Sequence, residues 1–496
     1  MSFLEPNVVL PLACSYNERG VAGFTNTITN AIDQRKVNSF YAPVQNAITG
    51  RTTLYLVKRP GVTYTGSDTH GTTGQVAYLI SLAPGNLAIG SAPWVFSTSG
   101  DDVRASSIAA TTVIVTSAGA HPAYVDRTEV SGTDTVVIGV RISSTVYQWY
   151  RSTAIATFTQ ISDGDFTALT HRGKMEFLDG YALIMDSLNR VYNSDLNSLA
   201  NWTAGSYITK QIKQDSPQGL ARLGQQVIAF GAETMEVFYN AGNASGSPLS
   251  RLPQLAQRIG LVDPNGTGIT HYSATLNNRL YFVGRRAGGL YSVGVFAYDG
   301  ARCEKVSSPY IDKIIGSNSA ARYYSVNSVG FNGQQAIAIA LDPTTAATQR
   351  WLMFFPDYNE WFEWHSTIFT PVNNSEFFLG VGANQHKVYN FTNSDNWQDD
   401  GTNYTFTHQF KMPKKGNEQH TMPMFGLVGD TARSALNVDV QFSRDDWQTK
   451  ETARTIDMTS KAKMLTRCGA FQDLGVTLSY AGSLEVRLEK AVARVQ

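Results

Sequence analysis

Pairs of short apolar strands recur along the chain, and the second strand of each pair ends in aromatic or Tyr-Asn/Tyr-Asp residues. Residues 225–231 read Gln-Gln-Val-Ile-Ala-Phe-Gly and residues 235–240 read Met-Glu-Val-Phe-Tyr-Asn. Related pairs occupy 278–284 with 294–300, and 334–340 with 351–359. A repeated β-meander builds a ring or stack of small sheets. Long helical periodicity is nearly absent, so we predict an all-β protein.

The pattern changes twice, which predicts three parts. Residues 1–60 hold one helix-like stretch at 26–33 and extended segments, whereas strand pairs dominate residues 61–400. Blades of roughly 40–60 residues would make 61–400 an irregular β-propeller of about six blades. Residues 401–496 alternate apolar and polar positions, as the strands of a small β-sandwich do. We expect the first and last parts to pack together as a platform domain.

Composition narrows the possible partners. The chain has 496 residues, of which 16% are charged, with 40 basic and 40 acidic side chains and no net charge. Tight non-specific binding to nucleic acid calls for a basic excess, so this class of function is disfavoured. A neutral surface also lets many copies lie side by side, which suits a large homo-oligomer.

Cysteines and apolar runs indicate where the protein folds. The three cysteines, Cys14, Cys303 and Cys468, are too few and too scattered for a disulfide framework or a zinc site. The start of the chain has no basic region followed by an apolar core, so we expect no secretory signal. No apolar run approaches the ~20 residues that cross a bilayer. We therefore expect no membrane span and folding in a reducing cytoplasm.

Motifs for catalysis, cofactors and metals are missing or weak, so we predict no catalytic, cofactor or metal residues. The chain has no Gly-rich phosphate loop, no zinc-protease motif and no nucleophile elbow, and its eight histidines are scattered. Residues 393–401 hold oxygen ligands but lack the spacing of a calcium loop. Residues 443–447, Ser-Arg-Asp-Asp-Trp, are similar to the aspartate box of sialidase-type propellers, with Trp447 where that turn needs glycine.

One pair of carboxylates keeps an enzymatic alternative open. Glu360 and Glu363 lie three positions apart beside aromatic residues, and Asp357 precedes them. Two carboxylates flanking a sugar are the machinery of a glycoside hydrolase. A turn after a strand explains the same residues without catalysis. A propeller glycoside hydrolase and a monomeric carbohydrate- or protein-binding propeller therefore remain the alternatives.

Several segments together resemble the packaged-DNA stabilisation proteins, the tail-hub or nozzle subunits of short-tailed bacteriophages. The most specific is 224–239, an apolar strand followed by Phe-Gly, x-Ser/Thr-x-Glu and an aromatic pair. Gln257-Arg-Ile-Gly260 and the blade end 303–312 follow in the same order as in that family. Further similar segments are 38–44, Lys58-Arg-Pro-Gly61, and the carboxy-terminal part from Thr405 through 442–447 to the strand 484–488.

This resemblance implies a structural protein of the virion tail that is assembled in the host cytoplasm. In such phages an irregular propeller carries a β platform, and six copies ring the tail axis below the adaptor under the portal. The ring closes the channel after packaging, helps to attach tail fibres or spikes, and opens for DNA ejection. Genomic DNA would pass through it without tight binding.

Three loops are candidates for the gate or for partner contacts. The Asn/Gly-rich loop 262–268, with Asp263 and Asn265, and the basic turn of Arg285 and Arg286 would meet near the axis as a gate. The charged stretch 411–420 looks like an exposed hairpin loop, and its basic residues could face a partner; they are Lys411, Lys414 and Lys415.

Overall fold

A computed structural model describes most of the chain, and nearly all described elements are strands. The described residues are 8–12, 34–45, 52–64, 74–80, 94–99, 102–106, 111–117, 121–142, 146–154, 157–262, 272–286, 293–317, 320–321, 323–331, 333–341, 349–371, 377–380, 387–391, 397–412, 418–432, 434–445, 447–460 and 463–496. The predicted helix-like stretch 26–33 and Cys14 lie outside them.

Five strands come before the repeated meanders: β1 (Val8–Pro11), β2 (Gln34–Val37), β3 (Ser39–Gln45), β4 (Thr52–Lys58) and β5 (Val62–Tyr64).

Four four-stranded antiparallel meanders follow. Sheet 1 holds β6 (Gly74–Ile80), β7 (Trp94–Ser99), β8 (Asp102–Ser106) and β9 (Thr111–Thr116). Sheet 2 holds β10 (His121–Val130), β11 (Thr133–Arg141), β12 (Tyr147–Ala154) and β13 (Thr157–Gln160), and precedes helix α1 (Gly164–Thr167). Sheet 3 holds β14 (His171–Leu178), β15 (Tyr181–Asp186), β16 (Arg190–Ser194) and β17 (Trp202–Thr209). Sheet 4 holds β18 (Pro217–Leu223), β19 (Gln226–Gly231), β20 (Met235–Asn240) and β21 (Leu249–Arg251).

The later sheets are less regular. A 3-10 turn (Pro253–Leu255) leads to sheet 5, which holds β22 (Ile259–Leu261), β23 (Ser273–Leu276), β24 (Arg279–Arg286), β25 (Val293–Tyr298) and β26 (Cys303–Lys305). Helix α2 (Pro309–Ile315) and a ribbon of β27 (Gly316–Ser317) and β28 (Ala320–Ala321) follow. Sheet 6 holds β29 (Tyr323–Phe331), β30 (Gln334–Leu341) and β31 (Gln349–Phe355). After β32 (Glu360–Ser366), sheet 7 holds β33 (Phe369–Pro371), β34 (Phe377–Gly380) and β35 (Val388–Phe391).

The carboxy-terminal strands complete the chain: β36 (Phe406–Lys411), β37 (His420–Thr421), β38 (Met424–Gly429), β39 (Asn437–Ser443), β40 (Arg454–Asp457), β41 (Met464–Thr466), β42 (Ala470–Phe471), β43 (Gly475–Tyr480) and β44 (Arg487–Arg494).

The chain forms two compact units. Unit 1 comprises residues 1–63, 360–366 and 391–496, and unit 2 comprises residues 64–359 and 367–390. Unit 1 therefore takes one strand, β32, from the middle of the meander region.

Unit 2 is a ring of seven sheets among its described residues. Each sheet lies against the next in chain order, sheets 2 and 3 through a shared apolar cluster, and β34 of sheet 7 lies against β6 of sheet 1, which closes the ring. The first strands make most of these neighbour contacts, as the inner strands of a propeller do. Apolar clusters fill the spaces between adjacent sheets; Val137 and Trp149 of sheet 2, for example, pack with Met175 and Ile184 of sheet 3.

Unit 1 is a two-layer β-sandwich. One layer has the strand order β3-β4-β44-β38-β41, with β1 also paired to β44. Within unit 1, the other layer has the order β32-β2-β36-β43-β39-β40. Phe425 and Phe442 meet edge to face between the layers, with ring centroids 5.7 Å apart. The prediction of a propeller with an additional β-sandwich is confirmed.

Candidate functional site

Arg285 and Arg286 end a strand and do not form a turn. They are the last two residues of β24, where Arg285 pairs with Gly260 and Arg286 pairs with Ile259 of β22. The half-buried Arg285 donates from Nε to the carbonyl oxygen of Ala232 at 3.0 Å. Arg286 is exposed. The end of sheet 5 therefore contacts the β19–β20 turn of sheet 4.

The predicted loop with Asp263 and Asn265 lies outside the described residues, but both of its flanks are within them. The amide of Val262 donates to the carbonyl oxygen of Val283 at 3.1 Å, and Ser273 pairs with Phe282. The chain thus leaves and rejoins the inner edge of β24 at neighbouring positions. The strands that flank the predicted loop and the strand that ends in Arg285 and Arg286 consequently belong to one sheet.

Lys411 lies in unit 1, at the end of β36, and its Nζ is 3.6 Å from a carboxylate oxygen of Asp473. Lys414 and Lys415 lie outside the described residues. The prediction of a hairpin loop at 411–420 is wrong, because the segment connects β36 to β37 and β38. These three strands belong to three different sheets.

The segment most similar to the phage proteins anchors the connection between sheets 3 and 4. The buried Lys210 donates from Nζ to Asp215 and to Thr234 Oγ1, the latter at 2.7 Å. Asp215 also accepts from the amides of Glu233 and Thr234, at 2.7 and 2.8 Å. Burial opposes ionisation of Asp215, but Lys210 and these amides outweigh it and lower the pKa of the carboxyl. We call residues 209–216, with the side chains that hold them, the linker clamp.

Glu236 is the second anchor of the linker clamp. One carboxylate oxygen accepts from the amides of Gln211 and Ile212, at 2.8 and 2.6 Å, and the other accepts from Arg251 Nε at 2.8 Å. Arg251 also donates to the carbonyl oxygen of Thr209 at 2.5 Å. The x-Ser/Thr-x-Glu pattern, matched by Thr234 and Glu236, therefore supplies one partner to each end of the connecting segment.

Close packing leaves no room for a side chain at two glycines of the segments that resemble the phage proteins. A Cβ at Gly231 would lie 2.2 Å from a carboxylate oxygen of Asp215, and a Cβ at Gly260 would lie 2.2 Å from the backbone of Ala232. Any side chain at either position would push the linker clamp or the β19–β20 turn away.

A tyrosine fills the space where the inner strands of sheets 3, 4 and 5 meet. The hydroxyl of Tyr272, just before β23, donates to the carbonyl oxygen of Leu220 at 2.5 Å. A Cβ at Gly219 or Gly173 would lie 2.2 or 2.7 Å from this hydroxyl, and both glycines have positive φ at bulges of β18 and β14. Tyr124 of sheet 2 is also buried nearby, and burial raises the pKa of its hydroxyl well above the usual value.

The Lys-Arg-Pro-Gly segment places two cations in the core of unit 1. Arg59 is fully buried and holds Asp399 with two hydrogen bonds of 2.8 and 2.6 Å, while its Nε donates to Asn38 Oδ1 at 3.1 Å. Lys58 donates to the carbonyl oxygens of Trp397 and Gly482. Burial and the adjacent Arg59 lower the pKa of Lys58 to about 7.

The carboxylates of the alternative hydrolase site are engaged in ion pairs. Glu360 is 2.6 Å from Lys36 Nζ, and Glu363 accepts two hydrogen bonds from Arg35 at 3.0 and 2.9 Å. Because residues three apart on a strand point to opposite faces, Glu360 and Glu363 do not face each other across a cleft. Asp357 is exposed in the turn that follows β31.

The aspartate-box-like segment forms a turn in unit 1. Asp445 accepts from Ser443 Oγ and from the Thr449 amide, both at 2.9 Å, and Trp447 has φ +70°. The turn thus adopts the backbone that favours glycine, although tryptophan occupies the position. In the 393–401 segment, Asp399 binds Arg59, and residues 393–396 lie outside the described part. No group of three or more metal-binding side chains occurs among the described residues.

The described helices are too short or too polar to cross a bilayer.

Several solved structures are distantly similar to the chain. The computationally designed Ika8 protein is 10% identical, with a TM-score of 0.37, and the match covers 67% of this chain and 100% of that one. An exo-β-1,3-galactanase from Phanerochaete chrysosporium is 7% identical, with a TM-score of 0.29 and coverage of 74% and 95%. A BBS1N–ARL6DN complex is 9% identical, with a TM-score of 0.36 and coverage of 68% and 98%. These TM-scores are too low to support any argument about function.

A family model gives a more specific result. No curated protein matches the chain. The model described as "Bacteriophage P22 Gp10, beta-propeller" matches residues 103–350, which is half of the chain. The match includes the linker clamp, the interrupted inner strand of sheet 5, and Arg285 and Arg286. This chain is therefore a member of the Gp10 β-propeller family of phage stabilisation proteins.

Proposed function

We propose that six copies of this chain form the hub or nozzle ring of a short-tailed phage. The ring closes the channel after genome packaging and gates DNA ejection. Family membership makes the chain a structural protein of the phage tail, and its place is the virion. Assembly takes place in the host cytoplasm, before the tail is complete.

The proposal that several copies form a ring rests on one observation, the packing of Tyr272. Its side chain is 1% exposed and lies against the inner strands of sheets 3 and 4. This side chain thus fills the space between the inner strands of sheets 3, 4 and 5. A DNA passage through the middle of one subunit would have to displace this packing. A passage that runs between copies leaves every subunit intact.

The gate is assigned to sheet 5. The strands β22 and β23, which flank the segment with Asp263 and Asn265, both pair with β24, the strand that ends in Arg285 and Arg286. Movement of β24 would therefore act on both. The hydrogen bond of Arg285 to Ala232 supports a fixed base for this gate on the neighbouring sheet.

Unit 1 is assigned to docking on the adaptor ring beneath the portal, and tail fibres or spikes attach to the assembled tail. Lys411, Lys414 and Lys415 lie in the segment that connects different sheets of unit 1. Their charge is suited to an acidic partner surface.

Electron microscopy tests the ring. Negative-stain images of the purified chain, alone and mixed with adaptor, should show six-fold rings in at least one sample. Isolated particles in both samples would refute the ring and favour a monomeric binding propeller. Turnover of a cell-surface glycan that is lost in Glu360→Gln or Glu363→Gln would instead favour the hydrolase.

DNA retention tests the gate. Phage in which residues 285–289 are replaced by Gly and Ser should assemble tails but lose packaged DNA, measured as DNase-sensitive DNA in purified particles. Filled and stable particles from this variant would remove sheet 5 from the gate.

A further inference from the structure

The outer face of one layer of unit 1 is polar. Phe442 of β39 packs against the other layer, and its partner Val476 on β43 is buried on the same side. Because successive residues of a strand point to opposite faces, Gly475, Thr477 and Ser479 lie on the outer face. The residues paired with Thr477 and Ser479 extend this face across β36, β39 and β40; they are Thr407, Gln409, Asp439, Gln441 and Thr455. We call Thr477, Ser479 and these paired residues the polar face.

The ring of Trp447 lies flat at one end of the polar face. A Cβ added to Gly475 would lie 2.5, 2.6 and 2.7 Å from three consecutive atoms of the six-membered ring of Trp447. A ring that approached Gly475 with its edge would bring one atom much closer than the other two. The ring therefore turns one face toward the sheet and the other face away from it. The side chain is half-buried, in keeping with one covered face.

The backbone of the turn is strained where it supports this ring. Trp447 has φ +70°, which is a rare value for a bulky residue. Ser443 Oγ accepts from the Trp447 amide at 3.0 Å and donates to Asp445 at 2.9 Å. Asp445 also accepts from the Thr449 amide, so the side chains of the turn hold it in place. Glycine would form the same turn without strain, and the indole ring is what tryptophan adds at this position.

Two polar groups on this side of the sheet have no hydrogen-bond partner among the described residues. One is the hydroxyl of Thr477, a residue that is 2% exposed, and the other is Trp447 Nε1. The half-buried Gln409 and Gln441 flank Thr477 on the two adjacent strands. Buried polar groups are nearly always hydrogen-bonded. A ligand hydroxyl that entered beside these flexible glutamines would give both groups a partner.

An open groove of about 510 Å³ continues the polar face away from the ring. It is lined by residues of the polar face and of adjoining segments, among them Asn403, Asn437, Asp439, Thr455 and Ser483. Thr455 is exposed and donates from Oγ1 to Asp439 Oδ1 at 2.9 Å, which leaves the second carboxylate oxygen for a ligand. Four residues separate Gly475 from Ser479, the partner of Asp439, so the ring and the groove lie about 13 Å apart. A short oligosaccharide can span this distance.

We propose that the polar face binds a neutral saccharide, with one sugar ring stacked on the outward face of Trp447 and further hydroxyls bound by Asp439 and Thr455. An aromatic face accepts the C–H side of a sugar, while hydroxyl, amide and carboxylate groups fix its orientation. The polar face holds one carboxylate and no cation, and Arg35 on the next strand is paired with Glu363. Phosphates would require cations, and a protein partner would require an apolar centre. The site lies within one chain and needs neither the ring of copies nor the channel.

Glycan binding by the purified full-length chain tests the proposal. The probes are an array of neutral bacterial surface polysaccharides and of linear gluco-, galacto- and manno-oligosaccharides, and titration calorimetry gives the affinity for the best probe. Trp447→Gly should weaken this affinity by roughly tenfold or more, because the stacking surface is lost. Asp439→Asn should weaken it by roughly tenfold, because a charged acceptor is lost. If the parent chain binds none of the probes, the proposal is overturned.

A matched pair in unit 2 provides the control. Asp195 accepts from Thr203 Oγ1 at 3.3 Å, and both residues are exposed. Asp195→Asn should bind the probe like the parent chain. Thermal unfolding of every variant checks the fold; if Trp447→Gly is destabilised, Asp439→Asn and Thr455→Ala decide, because they leave the ring in place. Affinities of Asp439→Asn and Thr455→Ala equal to that of the parent would overturn the proposal.

A protein partner would give a different result. If the polar face docks on the adaptor, Trp447→Gly will weaken adaptor binding while the parent chain binds no glycan. That outcome overturns the saccharide site. Absence of rings from the parent chain in electron micrographs would refute the proposed ring alone, because glycan binding is measured without it.

Discussion

At the scale of single residues, the segments that identify the family are those with the least room for change. At Gly231 and Gly260, carboxylate or backbone atoms already occupy the place where a Cβ would be. A Cβ at Gly61 would lie 2.0 Å from the carbonyl oxygen of Gln398. Thr234 and Glu236 provide the acceptors that hold the linker clamp. The sequence revealed these residues as a pattern. Their roles could not be predicted, because the partners Lys210, Asp215 and Gln398 lie in other segments.

Gly219→Ala tests the tight packing around Tyr272. The new Cβ would overlap the Tyr272 hydroxyl, and the φ of +144° at this position is unfavourable for alanine. The free energy of unfolding should therefore fall by about 1–3 kcal/mol. Gly205→Ala on β17 is the matched control, because a Cβ added there would have no atom within 4 Å. Denaturant unfolding measures both changes. Equal stability of the two variants would contradict the packing described for Tyr272.

Lys58 should make the stability of unit 1 depend on pH. Burial and Arg59 lower its pKa from 10.5 to about 7, so the folded chain binds this proton more weakly than the unfolded chain does. Protonation therefore favours unfolding below pH 7, and this effect disappears as the pH rises toward 10.5. Relative to Lys58→Met, the parent should gain thermal stability between pH 7 and 10. A difference in melting temperature that is independent of pH would refute this assignment.

At the scale of elements, the apolar pattern located the strands but not their partners. The predicted pair at 225–231 and 235–240 appears as β19 and β20. The predictions did not include the interruption of the inner strand of sheet 5, because only pairing with β24 shows that β22 and β23 occupy one edge. They also missed that β32 belongs to unit 1. Its sequence does not show which unit it joins, because its ion pairs to Arg35 and Lys36 of β2 form only in three dimensions.

The linker clamp should depend on the charge of Glu236. Glu236→Gln keeps one acceptor oxygen but leaves Arg251 without its ion pair. Because the site is buried, this loss should lower the free energy of unfolding by about 2–4 kcal/mol. Amide hydrogen exchange should accelerate at Gln211 and Ile212. Glu304→Gln is the control, since its carboxylate is 69% exposed and 4.0 Å from Arg279, and exposed pairs contribute little. Unchanged exchange in Glu236→Gln would show that the clamp is held by other contacts.

At the scale of the whole molecule, unit 2 is continuous except for one strand, whereas unit 1 is assembled from distant segments. In unit 2, strands β6 to β31, β33 and β34 lie within residues 64–390, and the contact between β34 and β6 closes the ring of sheets. The fragment 64–390 should therefore fold alone, with cooperative thermal unfolding and resistance to limited proteolysis except at 360–366. A fragment that unfolds without cooperativity would show that the ring needs unit 1.

Because unit 1 is assembled from segments that are distant in the sequence, it completes its folding after unit 2. The layers of unit 1 need β36, β38 to β41, β43 and β44, so β2, β3 and β4 have no complete sheet to join until these strands have been synthesised. Domains generally fold as units during synthesis, and the propeller can close first. The sandwich closes only after β44 has left the ribosome. Incomplete chains would then be unable to enter the virion, and protease protection of residues 34–63 in stalled nascent chains measures this delay.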